Sequence, residues 1–170
     1  VSPPDSITIP LVSSSTNKAV EETRGIVMLS GGETVAAYFH SSSGGYTENS
    51  EDVWSSQVPY IKSKADPYDK NDNYYNWKVS YTTEQLINEL ANAGYKFKKI
   101  TEIDVLARTS SGARVKKLAV KGEGTDGKPQ TVKIENADNV RIALGLKSSL
   151  IKLTKKYDKS KNLIGVEITG

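Results

Sequence analysis

Hydrophobic positions fall in short clusters set apart by polar and glycine-rich stretches, which predicts short elements. The clearest is a helix from Thr82. Leu86, Ile87, Leu90 and Ala93 share one face at helical spacing, Thr82 with Gln85 fits a capping box, and Gly94 stops it. A shorter helix follows Ser15 or Thr16, with Ala19, Val20 and Thr23 on one face and Gly25 at its end. Asn49 or Ser50 can cap one helical turn through Trp54. Asn136 can cap a short helix that turns Val140, Ala143 and Leu144 inward before Gly145. Strands are expected at Ile26 to Leu29 and Thr34 to Phe39, around a Gly31-Gly32 turn. Others are expected at Trp77 to Tyr81, Ile100 to Arg108, Arg114 to Lys121, Gln130 to Ile134 and Leu150 to Leu153, ahead of a lysine-rich tail. Pro10 limits the run Ile7 to Val12 to an edge strand, and Pro59 keeps Val58 to Ile61 extended. Three to four short helices interleaved with strands and hairpins point to an α+β fold, with short antiparallel hairpins and a mixed sheet.

Composition narrows the function classes. A chain of 170 residues, 36% hydrophobic, suits one domain with a core of its own. Without cysteine there is no disulfide framework, no thiolate zinc site and no cysteine nucleophile. The lone histidine, His40, argues against a multi-histidine metal site. No apolar run approaches the ~20 residues of a membrane span, and no signal peptide is visible. The net charge of +3 hides an asymmetry. Residues 1–60 carry seven acids and two bases, whereas residues 61–170 carry twenty-one bases and thirteen acids. That basic half is a solvated surface or a polyanion-attracting one. No helix-turn-helix, RNP or zinc-finger pattern is present, so nucleic acid is not an expected partner.

Candidate chemistry concentrates between Tyr38 and Trp54. This stretch holds His40, three consecutive serines, the pair Gly44-Gly45, Thr47 and three carboxylates. Hydroxyls and exposed backbone amides beside aromatic faces are what sugar recognition uses. Tyr46, Trp54, Tyr60 and the cluster Tyr74, Tyr75 and Trp77 can supply those faces. An ordinary Ser-Gly loop with Trp54 in the core is the plainer alternative. A hydrolase triad is disfavoured, because there is no G-x-S-x-G elbow and Ser41 and Ser43 lie too near His40 in sequence. Glu48 is poorly suited as a general acid. It precedes a helical turn, whose N-terminus favours the charged form.

The run Ala36-Ala37-Tyr38-Phe39-His40-Ser41-Ser42-Ser43-Gly44-Gly45-Tyr46-Thr47-Glu48 is followed by Glu51-Asp52-Val53-Trp54, Pro59-Tyr60-Ile61 and Asp66. Together these closely resemble the signature of the stage II sporulation protein D family (SpoIID/LytB). Ala19 to Gly25, Trp77-Lys78-Val79, Gln85-Leu86, Ser111-Gly112 with Arg114-Val115, and Arg141 with Leu144 to Ser149 resemble its other landmarks. The resemblance covers roughly residues 17–153. It implies an extracytoplasmic bacterial protein of the cell wall or septal space, a lytic transglycosylase acting on peptidoglycan glycan strands. Such an enzyme uses one carboxylic acid to protonate the leaving oxygen and then to assist ring closure. It implies no cofactor. The alternative is a non-catalytic peptidoglycan-binding or amidase-enhancer module, with other cell-wall hydrolases as partners.

Some family members hold zinc near this loop with a histidine and cysteines. This chain keeps His40 but has serines at 41–43, so no metal is expected. The family's catalytic glutamate lies in an upstream stretch that nothing in residues 1–25 matches, and its downstream Gly-His-Gly-Val-Gly-Met-Ser-Gln motif is not reached by Gly170. The expectation is therefore a single SpoIID-like domain, residues 1–170, that is the central portion of a longer protein. Its catalytic acid is unassigned within the chain, and the enzyme reading applies to the full-length protein, not to the chain alone. The residues expected to build one wall of the glycan cleft are His40, Ser41, Ser43, Gly44, Gly45, Tyr46, Thr47, Glu48 and Trp54. His40, Ser41 and Ser43 would hydrogen-bond, the glycines would permit close approach, and Thr47 and Glu48 would brace the loop.

Overall fold

The computed structural model describes residues 14–35, 42–53, 56–72 and 75–170. The chain divides into two compact units, Val1–Phe39 and His40–Gly170. In the first, helix α1 (Ser14–Glu22) buries none of its residues. It carries surface pairs between Lys18 and Glu22 at 3.6 Å and between Arg24 and Glu21 at 2.6 Å. Strands β1 (Leu29–Ser30) and β2 (Glu33–Thr34) pair around Gly31 and Gly32. Both glycines have positive φ, 59° and 87°, as a tight two-residue hairpin turn requires. The expected return strand through Phe39 and the run Ile7 to Val12 fall outside the described residues.

The second unit holds the core. Helix α2 (Ser50–Val53) is a single turn, and a 3₁₀ turn spans Asp69–Asn71. Strand β3 (Lys78–Thr82) runs into helix α3 (Thr83–Asn92). The capping box forms as expected: the Gln85 amide donates to the Thr82 hydroxyl at 3.2 Å, and the Thr82 amide to the Gln85 side chain at 2.9 Å. Leu86 and Leu90 are fully buried, each stabilising the fold by about 1.5–3 kcal/mol. Strands β4 (Lys99–Arg108), β5 (Val115–Glu123) and β6 (Pro129–Glu135) form an antiparallel meander. Helix α4 (Ala137–Ala143) packs on β5 and β6. Strands β7 (Lys152–Tyr157) and β8 (Leu163–Thr169) then form a hairpin, and β8 sits between β3 and β7.

The α+β class with short hairpins is as expected. The sheets, read from the sequence as mixed, pair antiparallel throughout the described residues. The lysine-rich tail is a correction of larger consequence. It is a strand hairpin, and its second strand is the centre of a sheet. Val166 and Ile168 on β8 are fully buried beside Ile103, Leu118 and Leu144 in the core. Gly165 is required there, since a Cβ at this position would run into the Tyr81 carbonyl of β3. The two larger sheets are also linked by charge. Lys155 on β7 reaches Glu102 at 2.6 Å and Asp104 at 3.0 Å on β4.

Candidate functional site

Among its described residues, the segment from Ser42 to Asp72 buries no hydrophobic side chain in the core and is held by polar anchors. Its first turn is organised by two aspartates. Ser42 donates to Asp69 at 2.7 Å, and Ser43 donates to Asp66 at 3.0 Å and to Asp69 at 3.2 Å. The Gly44 amide also donates to Asp69, at 2.7 Å. These donors hold the Asp69 carboxyl below its ordinary range, the Ser42 hydroxyl contributing most. Gly44 and Gly45 have φ of 69° and 91°, which side chains rarely adopt. At Gly45 the space is also taken, since a Cβ would stand 3.0 Å from the Tyr75 hydroxyl. The Tyr46 and Thr47 stretch then runs beside Lys64 and Ala65. Tyr46 pairs with Ala65, and Thr47 exchanges backbone and side-chain bonds with Lys64 at 2.9 Å.

Two buried carboxylates fasten this segment to the β4–β5 turn. Glu48 accepts from the hydroxyls of Thr109 and Ser111, both at 2.6 Å, and from the Asn49 amide at 3.0 Å. Asp52 accepts from the Ser110 amide at 3.1 Å and from the Ser110 hydroxyl, and it pairs with Lys116 at 2.7 Å. Burial pushes the Asp52 carboxyl up, but the Lys116 ammonium, Ser110 and Asn49 outweigh it and hold the group well below the usual carboxylate range. Arg114, at the start of β5's hairpin arm, crosses beneath the loop. Its Nη2 donates to the carbonyls of Ser43 at 3.1 Å and Tyr46 at 3.0 Å. Its Nη1 is buried without a hydrogen bond among the described residues and lies 3.7 Å from Glu48. From the other side, Asn136 donates to the Val53 carbonyl at 2.7 Å while its oxygen caps α4 through the Asp138 amide at 2.8 Å.

This scaffold shapes one wall of a cavity of about 290 Å³. Ser42 and Gly44 line it from the loop, Tyr75 and Trp77 from the approach to β3, and Lys147, Ser148 and Leu150 from the segment after α4. Gly170 closes it, its backbone paired with Trp77 at 2.8 and 3.1 Å. A shallower depression lined by Asn76, Trp77, Lys78 and Thr169 continues on the far side of Trp77. The volume is at the low end of the ~300–1,000 Å³ of ligand pockets, so it suits a short stretch of a longer chain. An indole with hydroxyls and an ammonium around it can pack the C–H face of a sugar ring and hydrogen-bond its rim.

Of the residues expected from sequence, Gly44 lines the cavity and Ser43, Gly45, Tyr46, Thr47 and Glu48 sit in the loop behind it. The Ser43 hydroxyl is committed to Asp66 and Asp69, and the Glu48 carboxylate to the β4–β5 turn. His40, Ser41 and Trp54 lie outside the described residues. Among the described residues no group of three His, Asp or Glu is placed to hold a metal ion. Sequence reasoning assigned no role to Arg114, Asp52, Thr109, Ser110, Ser111 or Ser148. The signal was their place in the family landmarks, Asp52 in Glu51-Asp52-Val53-Trp54, Ser111 and Arg114 in Ser111-Gly112 with Arg114-Val115, and Ser148 in Leu144 to Ser149; Thr109 and Ser110 had none.

Comparison with known proteins agrees with these landmarks. Residues 56–170 match a family described as "Domain of unknown function (DUF8618)". Over 133 residues, 76% of the chain, it is 37% identical to the amidase enhancer of Bacillus subtilis. Over 131 residues, 77% of the chain, it is 28% identical to stage II sporulation protein D of the same organism and 27% identical to that of Bacillus amyloliquefaciens. The matched region spans only 18% of the amidase enhancer's length and 34% of either sporulation protein's. On these matches the chain belongs to the DUF8618 domain family, and the resemblance to stage II sporulation protein D and amidase-enhancer (SpoIID/LytB) proteins holds over about three quarters of it.

Proposed function

We propose that this chain is a glycan-seating part of a bacterial cell-wall protein, binding peptidoglycan strands outside the cytoplasm in the manner of a lytic transglycosylase. One observation carries the reading. The Ser-Ser-Gly-Gly loop is locked by polar anchors against Tyr75 and Trp77, and the cavity between them has room for part of a sugar chain. Trp77 would stack on a pyranose face. The Ser148 hydroxyl and the Lys147 ammonium would bond its substituents, and the Ser42 oxygen, its proton given to Asp69, would act only as an acceptor. A preformed groove limits the entropy lost on binding a flexible strand.

Cleavage needs a carboxylic acid at the scissile oxygen, and the cavity lining described above contains no Asp or Glu. Glu48 is buried with both oxygens occupied by protein donors. The acid in this reading comes from residues beyond those lining the cavity. The second reading, a non-catalytic module that enhances a wall amidase, is favoured by the name of the 37%-identical relative. Incubating the full-length protein with purified glycan strands separates the two. Products ending in anhydro-muramic acid are expected. Binding without such products, together with faster release of stem peptides by an added amidase, would support the enhancer reading instead.

A further inference from the structure

The sheet of β3, β8 and β7 turns one face to the core and the other to solvent. On the outer face the register sets Lys78, Thr169 and Lys152 in one row, and Ser80, Glu167 and Thr154 in the next. Thr82, Gly165 and Lys156 form the third. Every one of these residues on the two edge strands is exposed, and the β7–β8 turn adds exposed Lys159 and Lys161. Five lysines therefore share the surface with two acids, Glu167 and Asp158.

Neither acid neutralises it. Glu167 is divided between Lys78 at 2.8 Å and Lys156 at 3.1 Å. Asp158 shapes the turn, accepting from the Ser160 and Asn162 amides at 2.8 Å and from the Asn162 side chain at 3.0 Å. Lys152, Lys159 and Lys161 have no acidic partner among the described residues. On β5, the central strand of the other large sheet, Lys116, Lys117 and Lys121 are each matched, with Asp52, Glu135 and Asp104.

We propose that this outer face docks a phosphate-bearing polyol chain, of the poly(glycerol phosphate) type. Lys152 and Lys156 are four residues apart, about 13 Å along the strand, and the turn lysines prolong the row. Compact ammonium charges suit phosphodiesters that present no fixed bidentate geometry. The hydroxyls of Ser80, Thr154 and Thr169 between them match the hydroxyls of a polyol. The rows contain no aromatic ring, and single-stranded nucleic acid is held by just such rings. The proposal does not rest on the glycan reading of the Trp77 cavity, although Lys78 and Thr169 also line the depression beyond Trp77.

The test is binding of a fluorescent poly(glycerol phosphate) oligomer to the protein across a salt series. Micromolar binding that weakens at least tenfold between 50 and 200 mM salt is expected, with counterion release from about three to five contacts. Replacing Lys152, Lys156, Lys159 and Lys161 by Ser should weaken it at least tenfold. Replacing Lys96, Lys99 and Lys128 by Ser should change it less than twofold. Should the fourfold variant fail to fold, amide shifts of the wild-type protein on titration locate the site, and they should cluster on β7, β8 and Lys78. No binding, equal loss in both variants, shifts elsewhere, or tighter binding of single-stranded DNA of equal charge would overturn the proposal.

Discussion

Glu48, Asp52 and Arg114 show how charge serves structure in this loop. Glu48 has a side chain only 4% exposed, and it satisfies two hydroxyls and one amide. Glu48→Ala would strand those donors and the Arg114 guanidinium, so a loss of about 3 kcal/mol is expected by urea denaturation. Glu48→Gln keeps an acceptor for the hydroxyls and should lose about half as much. Equal stability of both variants with wild type would contradict the anchoring role. Arg114→Lys tests geometry apart from charge. An ammonium cannot reach the Ser43 and Tyr46 carbonyls and face Glu48 together, so weaker glycan binding with a small stability change is expected.

Asp52 gives a pH signature. Its folded carboxyl titrates below its ordinary value of 3.8, so the unfolded chain takes up the proton first as pH falls. The stabilisation is full above pH about 4 and is lost as pH drops through the folded value. Wild-type stability should fall in that acid range, and Asp52→Asn should show a flatter profile there with lower stability at neutral pH. Parallel profiles for the two proteins would count against the Asp52 contacts.

Among the elements, those with local signals were legible. The capping box at Thr82 and the apolar stripe of Leu86 and Leu90 announce α3, and Asn136 announces α4. The β7–β8 hairpin was missed for a physical reason. Lysines at 152, 155, 156, 159 and 161 obscure the alternation, and Gly165 interrupts the hydrophobic run just where β3 comes close. Lysines on the β7 edge also discourage pairing with other chains. Gly165→Ala should destabilise by about 1–3 kcal/mol, because the added methyl must displace β3 backbone. Ile164→Ser, at a position half exposed, should cost far less. Comparable denaturation midpoints would remove the case for close approach.

Across the whole molecule, the site was legible as a segment and not as a surface. The Ser-Gly-Gly run and the Tyr75–Trp77 cluster were visible in sequence, and the structure brings them together. The anchoring role of the β4–β5 turn was not, because it depends on contacts between residues 58 to 63 positions apart. The charge asymmetry also acquires a location. Three lysines without an acidic partner among the described residues, Lys152, Lys159 and Lys161, lie on β7 and the β7–β8 turn, apart from the residues that line the cavity.

Calorimetric titration of the protein with a purified, soluble peptidoglycan glycan oligosaccharide tests the central claim most directly. Wild-type protein should bind it, Trp77→Ala should weaken binding at least tenfold at a temperature where the variant is still folded, and Lys152→Ser should leave it within twofold. Wild-type affinity in Trp77→Ala, or no binding by the wild-type protein, would contradict a glycan site at this cavity.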